Sequence, residues 1–193
     1  MTFLDNSRRN FIKFSGIVMV CFEVLLIILL YSLRPTQLKA AVPFSDFLAL
    51  SSTRWLFIAG FLVADMLYAI FINKELLSKA KFNPQFFNIS AVALVVSLLA
   101  PYNNKPWGQL LHIIAVGIFA GLFWIGTILY ARASRTKFIR NQTIVTSFLA
   151  IFFIAGLSLL FGSSKVLLLE LVVWLYGMIW ILLTSCWYLK KAD

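Results

Sequence analysis

The chain has 193 residues, of which 62% are hydrophobic and only 12% charged. A soluble domain carries about 45–50% apolar and about 25% charged residues, so one water-facing core cannot hide the excess, and lipid is the expected solvent. The net charge of +10 does not point to nucleic acid. The basic residues flank hydrophobic runs, where they set orientation and meet anionic lipid.

Six hydrophobic runs follow one another, at residues 15–33, 55–72, 86–100, 110–131, 144–161 and 166–189. Each is near the length a helix needs to cross about 30 Å of hydrocarbon at about 1.5 Å per residue. Lipid offers no partner to backbone N–H and C=O groups, so spanning segments are helices unless they close into a barrel. The period-two alternation of a barrel is absent. The expected fold class is therefore an all-α integral membrane protein, a six-transmembrane-helix bundle forming a single transmembrane domain over residues 1–193 with no soluble domain.

Taken in order, the first run follows the segment Ser-Arg-Arg-Asn-Phe-Ile-Lys at 7–13. It resembles a twin-arginine export signal but is read as a basic flank, because the run is long and no small-residue cleavage site follows. The connection from Arg34 to Arg54 is apolar enough to lie on the membrane or fold back between helices. Asn83-Pro84 precedes the third run. Pro101, Asn103, Asn104, Pro106 and Gly108 fill the turn after it, and Gly162-Ser163-Ser164 separates the last two runs. These are turn residues. Gly60 and Ala64, and Gly117 and Gly121, have the small-xxx-small spacing that lets helix backbones approach. Packing within one bundle is expected for both pairs. Trp55, Trp107 and Trp187 fall near the expected interfaces as anchors.

Twelve of the seventeen basic residues lie at the termini and in the second and fourth connections, against five on the other side. The positive-inside rule then puts the N- and C-termini in the cytoplasm. A bacterial or archaeal inner membrane is the expected location.

Of the seven acidic residues, three lie within the runs: Glu23, Asp65 and Glu170. A carboxylate at mid-membrane costs about 2.5–3.5 kcal/mol on insertion scales, so it faces the bundle interior, takes a partner or is protonated. Glu23 and Asp65, near the middle of the first and second runs, are candidates for a proton or ion pathway, or for structural carboxyls bonded to a neighbouring helix. His112, the single histidine, and Glu170 lie one turn into the fourth and sixth runs at similar depth. With Asp46, Asn103 and Arg54 they are candidates to line an outward-facing, polar-rimmed pocket. The alternative is a buried pair that fixes helix packing. Cys21 and Cys186 read as small buried hydrophobes.

One histidine rules out a bis-histidine haem from this chain alone, and no lysine lies mid-run for a retinal Schiff base. Nucleotide, zinc-protease and nucleophile-elbow motifs are absent. No catalytic residue, metal ligand or cofactor is therefore assigned, and an enzyme is not the favoured reading.

The stretches RWLFIAGFLVADMLYAIF, APYNNKPWGQLLHIIAVGIFAGLFWIG and LLLELVVWLYGMIW resemble the prokaryotic six-helix membrane family known as domain of unknown function 998, itself distantly similar to the Frag/DRAM group. Asp46, Pro101, His112 and Glu170 match its pattern, while Tyr102 and the two asparagines stand where that pattern has an acid. The resemblance implies a lipid-linked or trafficking role. The leading expectation is a protein that binds a lipid or small hydrophobic molecule between helices. The alternatives are a proton-coupled transporter or channel using Glu23 and Asp65, and an intramembrane lipid-modifying enzyme with His112 as base. Membrane lipids are the expected partners; no nucleic acid is expected, and the oligomeric state is left open.

Overall fold

The computed structural model describes residues 3–35, 47–48, 50–77, 80–100, 106–161 and 166–190, without the side chains of 3–13, 106, 156–161 and 166–169. Among the described residues there are six helices and no strand. They are α1 (Phe3–Leu33), α2 (Ser51–Ile70, continued by a π-helical turn Phe71–Leu76), α3 (Gln85–Leu99), α4 (Pro106–Ala133), α5 (Lys137–Phe161) and α6 (Val166–Lys190). All but α3 are long and apolar enough to cross a membrane; α3 has 15 residues.

The helix bounds follow from local chemistry. Pro84 precedes α3, and Asn83 Oδ1 accepts the backbone N–H of Gln85 at 3.0 Å, an Asx turn that starts the helix. Pro106 occupies the first position of α4, where its missing N–H costs nothing. The chain ahead of Gly16 contains no breaker, so α1 begins at Phe3, well before its apolar run.

Each helix packs on its neighbour in sequence, and α6 closes the ring against α1. The centre is aromatic: Phe87, Phe123, Tyr130, Tyr176 and Trp180 meet at ring-centroid distances near 6 Å, mostly edge to face, the geometry the ring quadrupole favours. A second cluster joins Leu26, Leu30, Phe57, Phe61 and Leu98 to Phe47 and Leu48. The connection between α1 and α2 thus folds back into the bundle at Phe47–Leu48. Arg34 at the end of α1 also donates to Ser52 Oγ at the start of α2.

The exterior is apolar. Along α5, Ile144, Phe148, Phe152 and Phe153 are exposed. A contiguous apolar exterior over polar interior contacts suits lipid rather than water. Trp55 and Trp107 are exposed at the first turns of α2 and α4, as interfacial anchors would be. Trp187 instead stacks on Phe138 at 4.3 Å, which ties the end of α6 to the start of α5. Cys21 and Cys186 are free and exposed on the outer helix faces, not buried as expected.

The two small-residue pairs part company. On α2, a Cβ added at Gly60 would collide with the Leu26 side chain of α1, and Ala64 is fully buried. That pair packs as its spacing predicts. A Cβ at Gly117 or Gly121 would meet open space. The pair on α4 therefore does not pack inside the bundle, because α4 turns a different face to α3. Its close approach comes at Gly126, whose Cβ would lie 2.8 Å from the Phe87 ring.

This contrast is testable. Gly60→Leu is expected to destabilise the protein by about 1–3 kcal/mol through overpacking, and Gly121→Leu by less than about 0.5 kcal/mol. Thermal unfolding of the detergent-solubilised chain reads the difference; equal losses would contradict the packing described.

Candidate functional site

Helical spacing brings the acids inward. On α1, Met19, Glu23, Leu26 and Leu30 recur every three to four residues and are all buried, so Glu23 shares the face that α1 turns to its neighbours. On α2 the same spacing links Phe57, Phe61, Ala64, Asp65 and Tyr68, again buried. On α6 it links Glu170, Trp174, Gly177 and Ile181.

These faces enclose two adjoining chambers. The outer one has a volume of about 340 Å³ and lies between α1, α2, α3, α4 and α6, with Glu23, Phe57, Ser97, Gly117, Glu170 and Trp174 on its wall. The inner one, about 60 Å³, is lined by Glu23, Asp65, Tyr68, Phe123, Trp174 and Tyr176 among others. Glu23, Leu94, Phe119, Ala120, Val173 and Trp174 belong to both. The outer volume falls in the range of small-molecule sites, about 300–1,000 Å³. Its wall includes Ile113, which is 66% exposed. Beside Ile113 and Gly117 the chamber therefore opens on the apolar exterior, and the open space at Gly117 is part of its mouth.

The carboxyls are staggered. Counted along their own helix axes from the Leu33, Ser51 and Val166 ends, Glu170, Glu23 and Asp65 lie roughly 6, 15 and 21 Å in. Glu23 is 4% exposed, and its Oε2 accepts a hydrogen bond from Trp174 Nε1 at 2.8 Å. This bond joins α1 to α6 and supplies the partner that a buried carboxyl requires. Asp65 lies within Coulombic range of Glu23. Its Oδ1 is buried without a hydrogen-bond partner among the described residues.

Below the inner chamber the hydroxyls form a closed circuit. Thr127 Oγ1 donates to Trp124 O at 2.7 Å, so the Tyr176 hydroxyl donates to Thr127 at 2.6 Å. Ser147 then donates to Tyr176 at 3.2 Å, and Trp124 Nε1 donates to Ser147 at 2.9 Å. Every step links a different pair among α4, α5 and α6, or closes within α4. With Gln142–Thr184 and Trp180–Thr143, these bonds fix α5 to the bundle although it lines neither chamber.

His112 is buried, and its Nδ1 lies 2.8 Å from the backbone oxygen of Ser97 on α3. The reason is local. The carbonyl of residue 97 would ordinarily accept from residue 101, which is Pro101 and has no N–H to give. The imidazole donates in its place and ties α4 to the end of α3. The helices bearing His112 and Glu170 face each other deeper in the core, through Phe123 and Tyr176. The described contact of His112 runs to α3, while Glu170 borders the outer chamber. Arg54 lies over the Trp55 ring at 6.0 Å and is not among the residues lining either chamber. Asp46 and Asn103 fall outside the described residues.

Sequence reasoning missed Glu75. It lies beyond the expected second run (55–72), but α2 continues through the π-helical turn, where Leu77 N–H reaches back five residues to Ile72 O. Glu75 is buried there beside Phe71, Ile72 and Leu76, and it stands in the electrostatic neighbourhood of Tyr130. The spacing of Phe71, Ile72, Glu75 and Leu76 was the available signal. Trp174 was also missed as a partner of Glu23, since nothing local in the sequence links residues so far apart.

Compared with protein-family models, curated proteins and solved structures, the chain matches none of them. Among the described residues no group of three metal-ligating side chains is brought together.

His112→Ala is expected to cost about 1–3 kcal/mol, the penalty for stranding a buried acceptor, and His112→Gln to recover part of it. Unfolding midpoints in detergent measure both; an unchanged midpoint in His112→Ala would remove the capping role.

Proposed function

We propose that the chain is a six-span integral protein of the cell membrane, with both termini cytoplasmic, that binds a lipid or small hydrophobic molecule in the double chamber. The single observation that carries this reading is the outer chamber of about 340 Å³, walled by apolar side chains and carrying the carboxyls of Glu23 and Glu170. Apolar walls with a few convergent polar groups suit a hydrophobic ligand. The opening beside Ile113 gives such a ligand a route from the bilayer. The charge bias of the connections supports the orientation, which turns the Glu170 end outward.

Native mass spectrometry of the chain extracted from a mixed-lipid membrane tests it. The wild type is expected to retain a bound lipid or small molecule. Gly117→Leu, which grows into space with no neighbour, is expected to lose most of that adduct while keeping the same unfolding midpoint. A wild type without adduct, or an adduct unchanged in Gly117→Leu, would overturn the reading.

A second reading is a proton-coupled transporter or channel. What favours it is the stagger of Glu170, Glu23 and Asp65, which carries ionisable groups from one end of the bundle toward its middle. In proteoliposomes, Glu23→Gln and Asp65→Asn would each lower pH-driven flux about tenfold or more, as expected for groups that move the ion. A flux equal to that of the wild type in both variants counts against this reading.

A further inference from the structure

We propose that the ligand of the double chamber is a lipophilic organic cation, a molecule whose positive charge is spread over, or shielded by, aromatic or aliphatic groups. The inference rests on the chamber as a binding site and adds the sign of the ligand's charge.

The walls carry acids without bases. Glu23 and Asp65 line the inner chamber, Glu23 and Glu170 line the outer one, and none of the described lining residues is Lys, Arg or His. An anion entering here would meet like charge in a medium of low dielectric, where repulsion is strong. A neutral lipid would leave the carboxyls as they are.

Asp65 supplies an independent observation. It is 9% exposed, it lines the inner chamber, and its Oδ1 has no hydrogen-bond partner among the described residues. Buried polar oxygens are nearly always satisfied, and one left open costs free energy. A cation seated in the chamber supplies the missing interaction. Trp174 already serves Glu23 Oε2, so the two carboxyls are not equivalent: Glu23 is held in place and Asp65 is left to the ligand.

The rest of the wall selects the kind of cation. Phe57, Phe119, Phe123 and Trp174 present rings to the chambers. Ring faces attract positive charge, the more so where water is excluded. A metal ion would need several oxygen ligands to replace its hydration shell, and no group of three metal-ligating side chains is present among the described residues. A quaternary ammonium or phosphonium group loses little on leaving water and suits a site of two carboxyls and aromatic walls.

Three probes of related shape test the proposal on the full chain in detergent: tetraphenylphosphonium, tetraphenylborate and neutral triphenylphosphine oxide, each measured by equilibrium dialysis against protein-free micelles. The cation is expected to bind at least about tenfold more tightly than the anion, from electrostatics alone. Glu23→Gln keeps an acceptor for Trp174 and is expected to weaken the cation about tenfold while leaving the neutral probe unchanged. Asp65→Asn is expected to do the same, with the unfolding midpoint as the control for folding. If the neutral probe binds as well as the cation, the chamber stands and the cation proposal falls. If neither variant changes the cation's affinity, the proposal also falls. If none of the probes binds, both the proposal and the binding reading on which it rests are overturned.

Discussion

A carboxyl group on a lipid-facing helix has no favourable position except toward the protein. That constraint organises this bundle. Glu23 fixes which face of α1 turns inward, Asp65 does so for α2, and Glu170 and Trp174 do so for α6. The Trp174–Glu23 bond joins the first helix to the last, and the same pair of helices closes the ring. Between them the apolar side chains fall short of filling the space, and the two chambers lie where the acids converge. Stability and the candidate site thus come from one requirement, that ionisable groups inside lipid find an interior.

Polar contacts elsewhere do a different task. The circuit through Trp124, Ser147, Tyr176 and Thr127 leaves each hydroxyl with both a donor and an acceptor role. Interhelical bonds of this kind contribute about 0.6 kcal/mol on average in membrane proteins. They hold α5 in place, and of the four residues only Tyr176 also lines a chamber. His112 adds a further interhelical bond, to the Ser97 carbonyl near the end of α3, an acceptor that Pro101 has no N–H to serve.

Much of the fold was legible because lipid imposes a simple rule on sequence. Six apolar runs became six helices, with bounds that moved mainly where no breaker stood, as ahead of Gly16 and beyond Ile72. The burial of Glu23 and Asp65 was legible for the same reason, since acids in apolar runs are rare and costly. Contacts across the bundle were not. Spacing marks Gly60 and Gly117 alike as small positions on helices, but only the neighbouring helix decides that Leu26 fills one space and leaves the other open. The role of His112 depends on a proline eleven residues earlier, visible in the sequence but meaningful only once α3 and α4 lie side by side. Glu75 escaped notice because its basic neighbours Lys74 and Lys79 read as a water-facing connection, while its apolar neighbours bury it.

The central claim is that Glu23 and Asp65 face a chamber reached from lipid rather than from water. Dicyclohexylcarbodiimide enters from the bilayer and, in the absence of ligand, reacts through the protonated fraction of a carboxyl shielded from water to give a stable N-acylurea, which mass spectrometry locates by peptide. In vesicles holding the full chain, adducts are expected on the peptides containing Glu23 and Asp65, with labelling lost in Gly117→Leu. A water-soluble carbodiimide is expected to leave both residues untouched. Absence of the lipid-borne adduct, or equal labelling by the soluble reagent, would contradict the account.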